Sequence, residues 1–116
     1  MSVVHFPIRQ SDTLPKIAVI ARDALDAPVD LTNATAVEFT MRSRSTGALK
    51  VDAATATLLD QTTTPGGVEY QLADADRDTP DSYRAYFRVR FPGNAAISFP
   101  DEDDRRIELR VTVYPD

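Results

Sequence analysis

No cysteine and no tryptophan occur in this chain, and histidine occurs once, at position 5. Without cysteine there is no disulfide framework and no thiolate metal site, and nothing in the composition calls for an oxidising compartment. One histidine cannot build a zinc centre, which needs three or four ligands at a recognisable spacing. A nucleophilic triad needs a base steered by a third group, and His5 falls on an expected edge strand at the chain start, where a surface histidine is the simpler reading. Long apolar runs are missing as well: no stretch approaches the roughly 18 residues that span a bilayer. Met1-Ser2-Val3-Val4-His5-Phe6-Pro7 carries neither a basic n-region nor a long apolar h-region. The expectation is therefore a soluble chain made in the cytoplasm, with no membrane partner.

Excess positive charge is also absent. The 13 lysines and arginines are outnumbered by 18 aspartates and glutamates, for a formal charge of -5 over 116 residues. That balance argues against a nucleic-acid partner, because neutralising phosphates needs a basic surface. The signs are unevenly spread, however. Carboxylates gather in expected turns (Asp23, Asp26, Asp30; Asp74, Asp76, Asp78, Asp81; Asp101 to Asp104), whereas many arginines fall within expected strands.

What is present is period-2 alternation, repeated between short turn-rich segments. Val37, Phe39 and Met41 alternate with Glu38, Thr40 and Arg42; Val68, Tyr70 and Leu72 alternate with Glu69 and Gln71. Tyr83, Ala85, Phe87, Val89 and Phe91 alternate with Arg84, Tyr86, Arg88 and Arg90, which makes the longest expected strand. Ile107, Leu109, Val111 and Val113 alternate with Glu108, Arg110, Thr112 and Tyr114, and this segment is expected to return antiparallel beside the preceding one. Weaker strand candidates cover 2–8, 16–22 and 53–59, with 97–99 as a short extra piece. Thr64-Pro65-Gly66-Gly67, Thr79-Pro80-Asp81 and Pro92-Gly93-Asn94 supply the turn chemistry between them. Ala53-Ala54-Thr55-Ala56-Thr57 competes as a short helix, but alternate threonines and the lack of a helical apolar stripe favour a strand. Pro7, Pro15 and Pro115 suit edge positions, where a missing N–H does no harm. Many short strands in a chain of this length predict one all-β sandwich domain spanning 1–116.

Catalytic and metal chemistry is hard to assemble from these residues. Asp101-Glu102-Asp103-Asp104 is the densest acidic run and a conceivable calcium loop. Consecutive carboxylates diverge, though, and the alternating spacing of an EF-hand is missing, so a solvated hairpin tip is the plainer reading. Pro65-Gly66-Gly67 is a turn and not a phosphate-cradling loop. Carboxylates are plentiful but lie where turns would put them, which gives no signature of a glycosidase pair. No enzyme activity and no cofactor are expected.

The outward row Arg84, Tyr86, Arg88 and Arg90 is the most informative feature. Arg110 and Tyr114 join it from the neighbouring strand, together with Glu108 and Thr112. Arginine and tyrosine are enriched at binding hot spots, which makes these six arginine and tyrosine positions candidates for a protein interface. An ordinary solvated sheet face is the alternative, with cross-strand pairs such as Arg90 and Glu108 offsetting charge. Val3, His5 and Phe6 form a second candidate, an edge strand that either extends a partner's sheet by β-augmentation or closes the chain's own.

Several segments resemble a known family. Ser11-Asp12-Thr13-Leu14-Pro15, then Ala27-Pro28-Val29-Asp30-Leu31-Thr32-Asn33-Ala34-Thr35-Ala36-Val37-Glu38-Phe39-Thr40-Met41-Arg42, is similar to the start of the immunoglobulin-like N-terminal domain of phage baseplate upper proteins. Asp78-Thr79-Pro80-Asp81-Ser82-Tyr83-Arg84-Ala85-Tyr86-Phe87 looks like that family's "T-P-G-x-Y-x-A-x-F" segment, and Ile97-Ser98-Phe99-Pro100 like its "F-P" before the last strand. The resemblance covers nearly the whole chain. It implies an immunoglobulin-like antiparallel sandwich of about seven to eight strands, with Tyr83 as the tyrosine of a corner bonding back to the preceding loop. Asp81 stands where the family has glycine, so a positive φ there would be strained, although aspartate tolerates it better than most residues.

The function that the resemblance implies is a structural protein of a tailed bacteriophage virion, in the tail or baseplate. Such a protein is present in several copies, docked on other virion proteins and assembled in the host cytoplasm. A head-decoration or head–tail neck protein is the nearest alternative. A carbohydrate- or receptor-binding module is the alternative of another class, disfavoured by the lack of tryptophan and the few tyrosines for a binding platform.

Overall fold

A computed structural model describes residues 2–14, 16–23, 25–100 and 107–116. The strands are β1 (Ser2–Arg9), β2 (Lys16–Ile20), β3 (Ala36–Ser43), β4 (Leu49–Thr55), β5 (Thr57–Leu58), β6 (Gly67–Gln71), β7 (Asp81–Arg90), β8 (Ala96–Phe99) and β9 (Ile107–Tyr114). The larger sheet runs β1-β9-β7-β3-β4, with β8 also on β7, and the smaller runs β2-β6-β5. The chain changes sheet four times, between β1 and β2, β2 and β3, β4 and β5, and β6 and β7. The two sheets pack as an all-β sandwich, with Phe39 of β3 against Tyr70 of β6. No helix among the described residues is long and apolar enough to cross a membrane.

The alternation along β7 holds throughout: Tyr83, Ala85, Phe87 and Val89 are buried, while Arg84, Arg88 and Arg90 are exposed. Opposite them on β3, Val37, Phe39 and Met41 also turn inward, in register as Val37 with Val89, Phe39 with Phe87 and Met41 with Ala85. The two sheets are tied at Phe39. Its ring stacks on Tyr70 of β6 at 4.5 Å and 8°, and meets Phe87 edge-on at 5.1 Å and 62°. The polar end of Tyr70 stays satisfied, its hydroxyl donating to Asp76 Oδ2 at 2.8 Å.

Four features depart from the expectations. There are nine strands among the described residues, and β1 runs parallel to β9, so the sandwich is not wholly antiparallel. The segment expected as one strand over 53–59 starts earlier, at Leu49, and divides between the sheets as β4 and β5. Its register on β3 jumps from Phe39–Ala54 to Met41–Val51, and Ala53 adopts φ 51° with its N–H donating to Thr40 Oγ1 at 3.2 Å. The bulge interrupts the ladder without ending it: Ala54 and Thr55 still pair with Phe39 and Glu38, and the Ala56 N–H donates to the Val37 carbonyl at 2.8 Å before Thr57 and Leu58 join β6. The return beside β7 is also broken in two. Residues 96–99 pair with 87–90 and residues 109–113 pair with 81–85, so β8 and β9 share one edge of β7 end to end. Finally, Asp81 is not among the positive-φ residues; it begins β7, and its carboxylate accepts from Ser43 Oγ at 2.8 Å and from the Ser82 N–H at 2.7 Å.

Because Phe87 is fully buried against Phe39, Phe87→Ala is expected to cost about 3 to 5 kcal/mol in urea-monitored unfolding. Arg88→Ala, one residue away on the outer face, is expected to stay within about 0.5 kcal/mol of the wild type.

Candidate functional site

The outer face of the larger sheet is built by register. Arg84 of β7 sits between Arg42 of β3 and Arg110 of β9, and Arg110 in turn pairs with His5 of β1. One row across four strands thus carries His5, Arg110, Arg84 and Arg42. Further along β7, Arg88 lies beside Glu38, and Arg90 beside Ala36. Among the described residues this face gathers cations in a chain whose overall charge is negative.

Its centre is a carboxylate. Glu108, expected on a solvated face, is only 3% exposed. Its Oε1 accepts from Arg44 Nε at 3.2 Å and from Arg84 Nε at 3.1 Å. Its Oε2 accepts from Arg110 Nε at 3.1 Å and Nη2 at 2.7 Å. A carboxylate offers about four lone-pair sites, so these contacts saturate it. Burial pushes the Glu108 carboxyl up, but the hydrogen bonds from Arg110, Arg84 and Arg44 outweigh burial and hold it below the usual carboxylate range.

Three guanidiniums around one carboxylate leave an excess of positive charge. The geometry also fixes how that charge is presented. Arg44 and Arg84 reach Glu108 through Nε, so their terminal Nη groups are not spent on it, and the Arg84 side chain is 56% exposed. Arg90 repeats the arrangement, donating Nε to Glu38 Oε1 at 2.7 Å. Arg88 donates Nη1 to Ser98 Oγ at 3.2 Å. Each of these side chains is held by its base or one end, which reduces the rotamer freedom a partner would otherwise have to freeze out.

The residues singled out in the sequence therefore separate. Arg84, Arg88, Arg90 and Arg110 are brought onto one face, with Tyr86 half-buried among them and Tyr114 exposed at the end of β9 beside Arg9. The suggested Arg90–Glu108 pair does not form: Arg90 binds Glu38, and Glu108 binds Arg44, Arg84 and Arg110. Tyr83 is buried and donates its hydroxyl to the Thr79 carbonyl at 2.9 Å, four residues upstream. Val3, His5 and Phe6 lie in β1, the edge strand of the larger sheet, paired along one side with β9. His5 Nε2 meets Thr112 Oγ1 at 2.8 Å, and Phe6 packs against the core. Sequence reasoning missed Arg44, which lies just past β3 and looked like turn, and missed the role of Glu108 as organiser.

Among the described residues, no group of three or more histidine or acidic side chains is placed to hold a metal ion. The acidic run Asp101 to Asp104 lies outside the described residues. A groove of about 520 Å³ opens between the sheets beside β1 and β2, lined mainly by apolar side chains including Val4, Val19, Ile20 and Ile107. With this geometry in view, comparison with known proteins adds no relative: no family model and no curated protein matches the chain.

The depressed carboxyl of Glu108 sets the sign of a pH effect. A group depressed in the folded state contributes stability that is present above its unfolded range, near pH 4.3, and is lost as pH falls through its folded value. Glu108→Gln is expected to destabilise by on the order of 2 kcal/mol at pH 7, less than for a fully buried pair because the guanidiniums reach water. That deficit is expected to shrink as the pH is lowered from 5 to 3 in urea titrations. A deficit that stays constant over this window would show that the carboxyl is not depressed.

Proposed function

We propose that this chain is a non-enzymatic docking protein of a tailed bacteriophage virion, placed in the tail or baseplate and held through the outer face of its larger sheet. The observation that carries the docking part is the set of arginines pre-positioned by Glu108 and Glu38. Arginines that are anchored at the base and exposed at the tip are the side chains that dominate many interface energies. The virion assignment is supported by the segmental resemblance to the immunoglobulin-like domain of baseplate upper proteins, and it rests on that resemblance as an analogy of fold and motif order. A stable two-sheet body with chemistry confined to one charged face suits a component whose work is to be held between neighbours. On this reading the partners are other virion proteins, several copies enter each particle, and no cofactor takes part.

Quantitative mass spectrometry of purified virions of the encoding phage tests the assignment. A copy number set by tail symmetry, far below that of the major capsid protein, is the expected result. Hundreds of copies per particle would move the protein to the head surface, and complete absence would overturn the virion reading. In the same preparations, Arg88→Glu is expected to reduce incorporation while leaving the isolated fold intact. Arg88 is the cleaner probe than Arg110, because truncating Arg110 also strips Glu108 of its bidentate partner.

A further inference from the structure

We propose that the arginine face takes the acidic end of a second copy of this chain, giving a head-to-tail contact. The inference rests on the docking reading above and names the partner for that face. Among the described residues, Arg44, Arg84, Arg88, Arg90 and Arg110 with Glu38 and Glu108, the carboxylates that bind four of them, form a set with an excess of three positive charges. Since the whole chain carries -5, everything outside this set carries eight negative charges. A surface so divided is complementary to itself in a way that a uniformly acidic protein is not, and such complementarity steers and orients association.

The acidic partner surface has a definite place. Where β1 and β9 finish and β7 begins, Asp12, Asp74, Asp78 and Asp116, with Asp76 on the same short turn as Asp74, outnumber the cations Arg9, Arg77 and Lys50 that lie among them. Asp116 Oδ1 accepts from the Ser11 N–H and hydroxyl at 3.2 and 2.8 Å, and Asp12 Oδ2 accepts from the Arg9 N–H at 2.8 Å. Gln10 Nε2 donates to the Asp78 carbonyl at 2.8 Å, while the Gln10 carbonyl accepts from Arg77 Nη1 at 2.7 Å. Arg77 also pairs with Asp74, and Lys50 pairs with Asp78. Asp74 is almost fully exposed, so its charge faces outward even while one oxygen holds Arg77.

The donor inventory favours carboxylate as the incoming group. Glu108 has no site left for another donor, yet Arg44 and Arg84, bound to it through Nε, keep terminal N–H groups that it does not use. A planar pair of N–H donors matches a carboxylate in bidentate fashion. A second aspartate or glutamate delivered from outside fills those donors and offsets the surplus charge that Glu108 alone leaves. Because the face and the end are different surfaces, the contact is heterologous. Each copy offers both halves, and repetition builds a ring or a chain.

Sedimentation velocity on the full chain tests this. Association is expected at 50 mM salt and is expected to weaken about tenfold or more at 0.5 M salt, as screened charge contacts do. Arg84→Gln with Arg88→Gln removes the face while leaving Arg44 and Arg110 on Glu108. Asp12→Asn, Asp78→Asn and Asp116→Asn together remove the end while keeping its oxygen acceptors. Each variant alone is expected to stay monomeric, and an equal mixture of the two is expected to form a one-to-one dimer that grows no further. A wild type that is monomeric at low salt overturns the proposal. So does a mixture that stays monomeric, or association that survives in either variant alone. A chain that enters virions yet stays monomeric here loses this inference and keeps the virion reading; one that associates as expected yet is missing from virions does the reverse.

Discussion

Alternate burial along β7 is the constraint from which the rest of this molecule follows. Phe87 and Val89 are wholly enclosed, and Tyr83 and Ala85 nearly so, which fixes the rotation of the strand. A slip of one residue would place Arg84, Arg88 and Arg90 in the core and expose the aromatic row. β7 is paired along both edges, to β3 on one side and to β8 and β9 on the other. Its rotation therefore sets which side chains its neighbours turn inward and which they turn out. The arginine face is the obverse of the core: the same pleat that delivers Phe87 to Phe39 delivers Arg84 to Glu108.

The electrostatics of that face show why a carboxylate is buried on the outside of a sandwich. Removing an unpaired carboxylate from water is strongly unfavourable, and a single surface ion pair contributes little. Glu108 escapes the first problem by having every lone pair occupied by a guanidinium donor. The arginines in turn avoid mutual repulsion by sharing it. Such a cluster is a weak device for stability but an effective one for holding side chains in a defined geometry. Pre-positioned donors lower the ordering cost of binding, and this connects the sheet's packing to the docking role proposed for the face.

Much of this was legible in the sequence because the core obeys a simple period. The alternations over 36–42, 68–72, 83–91 and 107–114 locate the strands that matter most, and Tyr83 behaves as a corner tyrosine in bonding to the Thr79 carbonyl. What could not be read is register, since alternation says which face a residue takes and not what sits beside it. The expectation of a simple return from β7 into the last strand put Glu108 near Arg90. In the fold, residues 96–99 occupy that stretch of β7, so β9 meets only its first half and Glu108 comes to Arg84. The parallel pairing of β1 and the division of 49–58 between sheets were hidden for a similar reason. Both depend on long-range pairing, and within 49–55 the register also shifts at a bulge at Ala53, a residue whose identity gives no hint of positive φ.

The central claim is that Glu108 holds Arg44, Arg84 and Arg110 in fixed positions before any partner arrives. Proton–nitrogen NMR of the arginine Nε–H groups in the free protein tests it most directly. The account predicts separate, exchange-protected Nε–H signals for Arg44, Arg84 and Arg110, all of which collapse in Glu108→Gln, while the Arg88 signal exchanges rapidly in both. Averaged, unprotected signals for all four arginines in the wild type would contradict it.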